Sequence, residues 1–334
     1  MDHFSRSLLN FFVSHSVDRM TTRRPDAEWI RERIRDQRTR IVPVWRSRNL
    51  LTGGDALRPV LLSAADLQDY PALERSAVLL GQREDTVYFA VELPAESEDA
   101  PRRYGPGADF RELREAGPLL GAEDGALLAY ARGIIHWHRR HRYCGDCGSR
   151  TESADGGHTR VCVNPSCQRK HFPRTDPAII VLVTRSENGE EYCLLGRQPT
   201  WPEGMHSAIA GFVEPGESLE QAVVREVREE TDIAIGRVHY HSSQPWPFPS
   251  SIMLGFTAEA VSSAITLLDG ELEHAGWYTR DDMVKSLANG SLRVPRRVSI
   301  AYRLAEDWFD AGDRGRLADH LPSGVGPHIT YKDR

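Results

Sequence analysis

Three glutamates in the second half of the chain have the spacing of a metal-binding site. Glu226, Glu229 and Glu230 lie three, four and one residues apart, so a helix places them on one side. Like charges this close weaken a helix, and a solvated helix normally interleaves lysine there. Crowded carboxylates supply the oxygen ligands that Mg²⁺ and Mn²⁺ prefer, and these cations bridge phosphates. We therefore expect a metal site, although clustered glutamates taken alone are mostly solvated surface.

Four of the five cysteines form a second candidate metal site. They lie as two pairs within residues 144–167, and the fifth, Cys193, lies apart. Two such pairs can bring four thiolates to one tetrahedral zinc ion, and the role of a closed four-cysteine site is structural. The alternatives are free cysteines in a loop or a redox pair. We expect zinc, bound by Cys144, Cys147, Cys162 and Cys167.

The glutamates are predicted to lie on a helix over residues 218–231. Ser218 and Gln221 have the spacing of a capping box. The apolar stripe that faces the core is formed by Leu219, Ala222, Val223 and Val227. Strands are predicted around this helix over residues 177–185, 190–198, 236–244 and 251–261, and a last helix near 295–310.

The first hundred residues have the pattern of a β-rich region. Short strands are predicted at residues 41–45, 59–63, 76–82 and 86–93. A polar connector covers residues 96–109, and a helical pattern runs from 110 to about 140. The apolar residues of that pattern recur at three- and four-residue spacings, at Leu127, Leu128, Ala131, Ile134 and Ile135.

Length and charge limit the class of protein. The chain has 334 residues, more than one compact domain usually holds, and its net charge of −6 argues against a general polyanion binder. We expect a cytoplasmic protein, because no apolar run approaches a membrane span and residues 1–15 lack the basic start of a secretory signal. Residues 136–174 are locally basic, which indicates either a solvated surface or one that faces the phosphates of RNA or a dinucleotide.

The glutamates belong to a longer pattern that resembles the Nudix box, the signature of hydrolases that cleave a nucleoside diphosphate linked to another group. Gly211, Glu217 and the run Arg-Glu-Val-Arg-Glu-Glu over residues 225–230 match this pattern. The resemblance implies that Arg225 and Glu217 pair to brace the loop before the helix. Asp232 stands where the family has a glycine, so we expect a left-handed helix cap there, at a cost of about 1 kcal/mol for aspartate.

The same resemblance implies roles for the metal-binding residues. Glu226 and Glu230 are the main ligands of Mg²⁺ or Mn²⁺, and Glu229 is a further ligand or the base that activates water. Ala210, just before the pattern, gives the metal its backbone carbonyl. A metal at a pyrophosphate neutralises the charge that develops on the leaving phosphate.

Residues 243–251, Ser-Gln-Pro-Trp-Pro-Phe-Pro-Ser-Ser, narrow the choice of substrate. They resemble a motif of the NADH pyrophosphatase subfamily of Nudix hydrolases, in which a β-rich domain and a four-cysteine zinc ribbon precede the Nudix domain. The resemblance implies a homodimer that hydrolyses NAD(H) to AMP and nicotinamide mononucleotide. Bacterial members also remove NAD caps from RNA 5′ ends.

Further site residues are carried over from this subfamily. Phe172 matches an aromatic residue that stacks on the substrate, and Ala301 matches a substrate-contacting backbone position. Glu271 matches a late metal ligand, with a solvated acid as the alternative. Gly157 replaces a substrate-contacting glutamate, so that contact is either absent or made by His158. The motif itself contributes substrate contacts from Gln244, Pro245, Trp246, Pro247, Phe248, Pro249, Ser250 and Ser251.

We therefore predict an α+β chain in which an α-β-α sandwich Nudix fold follows a small zinc ribbon and a β-rich N-terminal domain. The predicted domains are a β-rich, Nudix-like domain ending in a helix (1–140), a zinc ribbon (141–174), a catalytic Nudix domain (175–312) and a tail (313–334). The alternatives are a Nudix hydrolase of another nucleoside diphosphate, such as ADP-ribose, or a non-catalytic zinc-ribbon protein that binds nucleic acid or senses a ligand. Of Trp246 and Phe248, one is expected to line the nucleotide pocket and the other to anchor its loop.

Overall fold

The computed structural model describes residues 1–94, 103–268 and 270–321. Residues 96–102 of the predicted connector and residues 322–334 of the predicted tail lie outside the described residues. Within the described ranges, none of the helices combines the length and the apolar character that a membrane crossing needs.

The chain divides into two compact units. The N-terminal unit contains Phe12–Thr175 together with Pro245–Ser251. The C-terminal unit contains Met1–Phe11, Asp176–Gln244 and the described residues from Ile252 onward. The sequence places residues 1–11 in the first domain, whereas the structure groups this segment, with its helix α1 (His3–Leu8), in the C-terminal unit. Hydrogen bonds from the segment to the C-terminal unit, described below, are the reason.

The N-terminal unit is built on a six-stranded sheet, which confirms the predicted β-rich region. Its strands are β1 (Arg40–Trp45), β2 (Arg48–Thr52), β3 (Arg58–Pro59), β4 (Val78–Arg83), β5 (Thr86–Glu92) and β6 (Asp109–Arg111). The spatial order is β3-β2-β1-β5-β4, with β6 paired to β2 and with β1 and β5 parallel. Ile34, Leu50, Leu79 and Phe89 lie in the core of this unit.

The helices of this unit differ from the prediction of one helix over 110–140. They are α2 (Ala27–Arg35), α3 (Leu73–Ser76), α4 (Leu113–Ala116) and α5 (Ala122–Arg140). The interruption falls at the 3₁₀ turn Gly117–Leu119, where Pro118 has no backbone N–H to continue a helix. The predicted apolar stripe of α5 is buried, as expected for a helix that packs on a sheet.

Two strands of this sheet were not predicted, and one was predicted too long. Strands β2 and β6 are short and carry charged or polar residues among few apolar ones, so their pattern is weak. Of the predicted strand over 59–63, only Pro59 lies in β3, although the Val60 N–H still donates to the Leu50 carbonyl of β2 (2.9 Å). Beyond it, Leu62 forms an isolated bridge with Ile41.

The cysteine-bearing segment forms a small antiparallel sheet within the N-terminal unit. Its three strands are β7 (Thr151–Ala154), β8 (Thr159–Cys162) and β9 (Lys170–His171), in the order β7-β8-β9. Such a sheet has almost no hydrophobic core, so a bound metal is a common source of its stability.

The C-terminal unit contains a second six-stranded sheet. Its strands are β10 (Asp176–Glu187), β11 (Glu190–Arg197), β12 (Ile209–Phe212), β13 (Ile235–Trp246), β14 (Ser251–Ala260) and β15 (His274–Tyr278). The order is β13-β14-β10-β11-β15, with β12 paired to β10. Strand β13 is at the edge, which is where a strand tolerates a proline such as Pro245.

Helices cover both faces of this sheet, which confirms the predicted α-β-α sandwich. They are α6 (Leu219–Thr231), α7 (Arg280–Asn289) and α8 (Ile300–Asp310). Residues of β10 alternate between the faces. Ile179 and Val181 share a core with Val223 of α6, whereas Ile180 shares a core with Leu304 of α8. Helix α7 was not predicted from the sequence.

Candidate active site

Helix α6 begins and ends as the sequence predicts. The hydroxyl of Ser218 accepts a hydrogen bond from the Gln221 N–H (3.2 Å), and the Gln221 side chain accepts one from the Ser218 N–H (2.8 Å). This capping box satisfies backbone donors that the first turn leaves free. At the other end Asp232 adopts φ 58° and ψ 16°, the left-handed conformation expected where the family pattern has glycine.

Arg225 binds the loop before the helix to the helix itself. Its guanidinium donates from Nε to Glu217 Oε1 (2.6 Å) and from Nη2 to Glu217 Oε2 (2.9 Å). Nη2 also donates to the Phe212 carbonyl (2.9 Å), and Glu217 accepts from the Glu214 N–H (3.0 Å). The hydrogen bonds from Arg225 and then Glu214 lower the pKa of Glu217 to about 2. The brace implied by the family pattern is therefore present.

The three glutamates of α6 differ in exposure. The side chain of Glu226 is 13% exposed and that of Glu229 is 54% exposed, whereas Glu230 is buried. Nη1 of Arg225 donates both to Glu226 Oε1 (2.8 Å) and to Glu229 Oε2 (3.1 Å), which offsets their mutual repulsion. Burial raises the pKa of Glu226, although Arg225 opposes this shift.

Glu226 lies directly against the backbone of β12. A Cβ placed on Gly211 would be 1.9 Å from Cδ of Glu226, a distance that no real contact allows. Gly211 pairs with Ile179 of β10, and the neighbouring Ala210 pairs with Ile180. A glycine is therefore needed at position 211, because the carboxylate of Glu226 packs on its Cα. Ala210 is the preceding residue of β12, so it lies next to this contact.

Glu271 lies near the same carboxylates. Its negative charge contributes to the raised pKa of Glu226, after burial and after the charge of Glu229. Its Oε1 accepts a hydrogen bond from Gln198 Nε2 (2.9 Å), next to the end of β11. The C-terminal unit thus holds four candidate carboxylates: those of Glu226, Glu229 and Glu230 on α6, and that of Glu271, whose charge acts on Glu226.

This donor set fits a hard divalent cation. Four carboxylates and a nearby backbone carbonyl are oxygen ligands, the type that hard cations prefer, and Arg225 balances part of the charge of Glu226 and Glu229. Among residues 1–94, 103–268 and 270–321, however, only the cysteines bring three or more ligand atoms within 4.8 Å of one another. The assignment of Ala210, Glu226, Glu229, Glu230 and Glu271 as metal ligands therefore stays a prediction.

The four cysteines of the small sheet fit a tetrahedral metal. Sγ of Cys147 lies 3.4 Å from Sγ of Cys162, and Sγ of Cys144 lies 3.8 Å from Sγ of Cys167. Tetrahedral zinc with bonds of about 2.3 Å places sulfurs about 3.8 Å apart. Hydrogen bonds from Ser149 lower the pKa of Cys147 to about 6, which favours the thiolate that a metal binds, whereas burial raises the pKa of Cys162 to about 12. The cluster has the ligand set of a structural zinc site.

The structure gives Gln244 and Ala301 packing roles in the C-terminal unit. Gln244 is 0% exposed, and its amide group donates to the carbonyls of Phe11 (3.0 Å) and Val298 (2.9 Å). The Ile300 N–H donates to Gln244 Oε1 (2.8 Å). Ala301 follows in the first turn of α8 and is buried. Substrate contacts from these two residues stay predictions.

The rest of the proline-rich motif belongs to the N-terminal unit, as does Phe172, whose ring is 50% exposed. Trp246 and Phe248 contact each other edge to face, with ring centroids 5.0 Å apart and planes at 76°. Each ring is half-buried. The expected division, in which one ring lines the nucleotide pocket and the other anchors the loop, stays a prediction. The two rings form one pair with shared neighbours.

Arginines surround this aromatic pair. The guanidinium carbon of Arg114 lies 5.2 Å from the Trp246 ring centroid and 4.8 Å from that of Phe248. Arg132 is buried, lies 4.7 Å from the Phe248 centroid and donates to the Pro247 carbonyl. Such cation–π contacts stabilise the rings where they lie. Sequence reasoning missed Arg132, although a charged residue one position after Ala131 of the apolar stripe was a usable signal.

Gly157 has no room for the side chain that the subfamily carries there. Its φ is +90°, and a Cβ would lie 2.7 Å from Val78. The Nε2 atom of the neighbouring His158 lies 2.7 Å from the Leu79 carbonyl and 3.3 Å from the Tyr130 hydroxyl, and a substrate contact from His158 stays a prediction. Burial lowers the pKa of His158 to about 4. This position packs the small sheet against β4.

Comparison with known families matches the arrangement just described. Residues 174–298 match the NUDIX domain, residues 38–137 match the NADH pyrophosphatase-like rudimentary NUDIX domain, and residues 139–172 match the NADH pyrophosphatase zinc ribbon domain. The fold and the carboxylate-bearing helix are those of a Nudix hydrolase.

Similar proteins extend over most of the chain. The NAD-capped RNA hydrolase NUDT12 of Macaca fascicularis is 33% identical over 340 residues, which cover 90% of this chain and 73% of that protein. The NAD-capped RNA hydrolase NudC of Mycobacterium bovis is 37% identical over 276 residues, 79% of this chain and 83% of that protein. Nudix hydrolase 19, chloroplastic, of Arabidopsis thaliana is 41% identical over 244 residues, 68% of this chain and 54% of that protein. The chain belongs to the NADH pyrophosphatase (NAD-capped RNA hydrolase) subfamily of Nudix hydrolases.

Proposed function

We propose that this enzyme hydrolyses the pyrophosphate bond of NAD(H) to AMP and nicotinamide mononucleotide, and that the same cleavage removes NAD caps from RNA 5′ ends. The observation that carries the proposal is the complete set of glutamates on α6, together with the Arg225–Glu217 ion pair. Two similar proteins, which match 79% and 90% of this chain, are NAD-capped RNA hydrolases. The motif at 243–251 supports the choice of a dinucleotide.

Each carboxylate has a role in this proposal. Glu226, Glu230 and Glu271 would hold a divalent cation together with the Ala210 carbonyl, and we infer Mg²⁺ or Mn²⁺ from the all-oxygen donor set. When bound, such a cation neutralises charge on the pyrophosphate and makes water a better nucleophile. Glu229, the most exposed of the three helix glutamates, is a further ligand or the base that takes a proton from the attacking water.

Hydrolysis of the pyrophosphate bond needs water as its only other reactant. The oxygen of water bonds to one phosphorus, the bridging P–O bond breaks, and the bridging oxygen leaves with the other phosphate. One water proton is released to solvent by way of the base. The Arg225–Glu217 pair keeps the loop and the helix in register during this reaction, because two parallel hydrogen bonds fix both position and orientation.

Substrate contacts are assigned to the aromatic residues and to the motif. Phe172 has an exposed ring face that suits stacking on a base. We assign the remaining contacts to Ala301 and to Gln244, Pro245, Trp246, Pro247, Phe248, Pro249, Ser250 and Ser251. We also propose that the enzyme is a homodimer, that it acts in the cytoplasm, and that zinc at the four cysteines is structural.

Parallel assays with two substrates test this proposal. The enzyme with Mn²⁺ is incubated with NADH and, separately, with NAD-capped RNA, and Glu226→Gln is the control protein. Both substrates should be cleaved, and the RNA should carry a 5′-monophosphate afterwards. Cleavage of NADH with capped RNA left intact removes the RNA part of the proposal. No cleavage of either substrate with Mg²⁺ or Mn²⁺ contradicts the proposal as a whole.

A further inference from the structure

The N-terminal segment of the chain lies along the start of the proline-rich motif. In the C-terminal unit, the Ser243 N–H donates to the hydroxyl of Ser7 (3.1 Å). Asn10 is buried, and its Nδ2 donates to Ser242 Oγ (3.1 Å) and to the Ser243 carbonyl (3.0 Å). These three bonds link residues more than 230 positions apart in the chain. They are not explained by the catalytic residues described above.

Phe11, the next residue of the N-terminal segment, also contacts the motif. The Phe11 carbonyl accepts from Gln244 Nε2 (3.0 Å), and the other contacts of that amide are the Val298 carbonyl and the Ile300 N–H at the start of α8. Because Gln244 is completely buried, each of these bonds replaces a contact with water. The first residues of the motif are therefore held by the N-terminal segment and by α8.

Phe12 makes the corresponding contact in the N-terminal unit. Its ring is buried, with centroids 5.8 Å from Phe248 and 6.4 Å from Trp246. Its φ is +68°, a conformation that an aromatic residue adopts at a cost unless its surroundings require it. The three rings of Phe12, Trp246 and Phe248 thus form one aromatic cluster, and Phe12 is its most buried member.

We propose that residues 7–12 position the proline-rich motif for its substrate, with Asn10 fixing the start of the motif and Phe12 fixing its aromatic pair. This inference rests on the proposed function, in which the motif contacts a dinucleotide. Asn10 and Phe12 are positioning residues, because they contact the motif and not the reacting atoms. A loop held before the substrate arrives costs less to order on binding, so the effect should fall on substrate binding.

Steady-state kinetics on Phe12→Ala test this role. The KM for NADH should rise roughly threefold to tenfold, the range expected for losing an aromatic pair, while kcat changes less than about twofold. Phe4→Ala is the matched control, because Phe4 is an exposed phenylalanine of the same N-terminal segment that lies outside residues 7–12. Its KM should equal that of the wild type. An unchanged KM in Phe12→Ala overturns the proposal.

A double-mutant cycle separates positioning from a general loss of packing. The increase in KM of the double variant should be smaller than the product of the increases in Phe12→Ala and Phe248→Ala, because each single substitution already removes the contact between the two rings. A KM increase in the double variant that equals the product of the two single increases contradicts the proposal. If Phe12→Ala does not fold, Phe12→Leu and Asn10→Ser serve instead, and both should raise KM with the Phe4→Ala control unchanged.

A measurement without turnover distinguishes failure of this inference from failure of the proposed function. The protein is labelled with 5-fluorotryptophan, and the ¹⁹F resonance of Trp246 is assigned with Trp246→Phe. Phe12→Leu should shift that resonance in the absence of substrate, and Phe4→Ala should not. An unshifted Trp246 resonance contradicts positioning even if NADH is cleaved. A shifted resonance in a protein that leaves NADH intact overturns the proposed function instead.

Discussion

Arg225 binds Glu217 through two parallel hydrogen bonds, from Nε to Oε1 at 2.6 Å and from Nη2 to Oε2 at 2.9 Å. The two partners lie eight positions apart in the sequence, so the pair closes the loop 212–217 onto the first half of α6. The third donor atom of the guanidinium is used by Glu226 and Glu229. One arginine therefore controls both the loop and the carboxylates that we assign to the metal.

The Arg225–Glu217 pair should make stability depend on pH in the acid range. The pKa of Glu217 is lowered to about 2, so its contribution is complete above about pH 4.5 and is lost as the pH falls towards 2. We expect Glu217→Gln to lower the thermal unfolding midpoint at pH 6, with a difference from wild type that shrinks between pH 4.5 and 2. Thermal scans against pH measure this. Glu220→Gln, at an exposed position of the same helix, is the control and should show no such trend.

Substituting Gly211 should disable the site with little effect on the rest of the fold. The Cβ of Gly211→Ala would meet the carboxyl group of Glu226 at 1.9 Å, so the carboxylate must move. We expect kcat for NADH to fall at least tenfold, since displaced ligands lose much of their effect. Gly54→Ala is the control, because a Cβ there meets no atom within 4 Å. Full activity in Gly211→Ala would show that Glu226 need not lie against β12.

The cysteine cluster should hold one zinc ion per chain and lose it when a ligand is removed. Cys162→Ser should release the metal and lower the unfolding midpoint of the N-terminal unit, because a metal held by four cysteines cross-links the segment that carries the small sheet. Metal analysis of the purified protein and thermal unfolding measure the two effects. Cys193→Ala, outside the cluster, should keep its zinc. A protein that folds normally without zinc contradicts the structural role.

Arg132 should stabilise the N-terminal unit through the loop that it contacts. Arg132→Ala removes a hydrogen bond to the Pro247 carbonyl and a cation–π contact with Phe248, together worth roughly 2 to 4 kcal/mol. Arg132→Lys should restore only part of this free energy of unfolding, since lysine lacks the planar guanidinium group of arginine. Denaturant unfolding measures both variants. The control is Arg140→Ala, on an exposed position of α5, and an equal loss in that variant would contradict a specific role for Arg132.

The features that could be predicted from the sequence are local. The capping box at Ser218, the left-handed cap at Asp232 and the Arg225–Glu217 pair each depend on residues at most eight positions apart. The α-β-α sandwich, with β10 between two cores, was expected from the resemblance to Nudix hydrolases. A fixed spacing on a helix determines the capping box before the rest of the fold is known, whereas the family pattern implies the cap at Asp232 and the Arg225–Glu217 pair.

The features that were missed depend on contacts between distant parts of the chain. Asn10 meets Ser242 across 232 residues, and Arg132 meets Pro247 across 115. Nothing in the local pattern of either residue specifies such a partner. The mutual contact of Trp246 and Phe248 was also missed, and both rings have neighbours far away in the sequence, Phe12 and Arg114.

Product analysis tests the central claim most directly. The enzyme is incubated with Mn²⁺ and either NADH or ADP-ribose, and the nucleotides are separated by chromatography. We predict that NADH gives AMP and reduced nicotinamide mononucleotide in equal amounts, faster than ADP-ribose is cleaved at the same concentration, and that Glu226→Gln gives neither product at a comparable rate. Intact NADH alongside cleaved ADP-ribose would contradict the account.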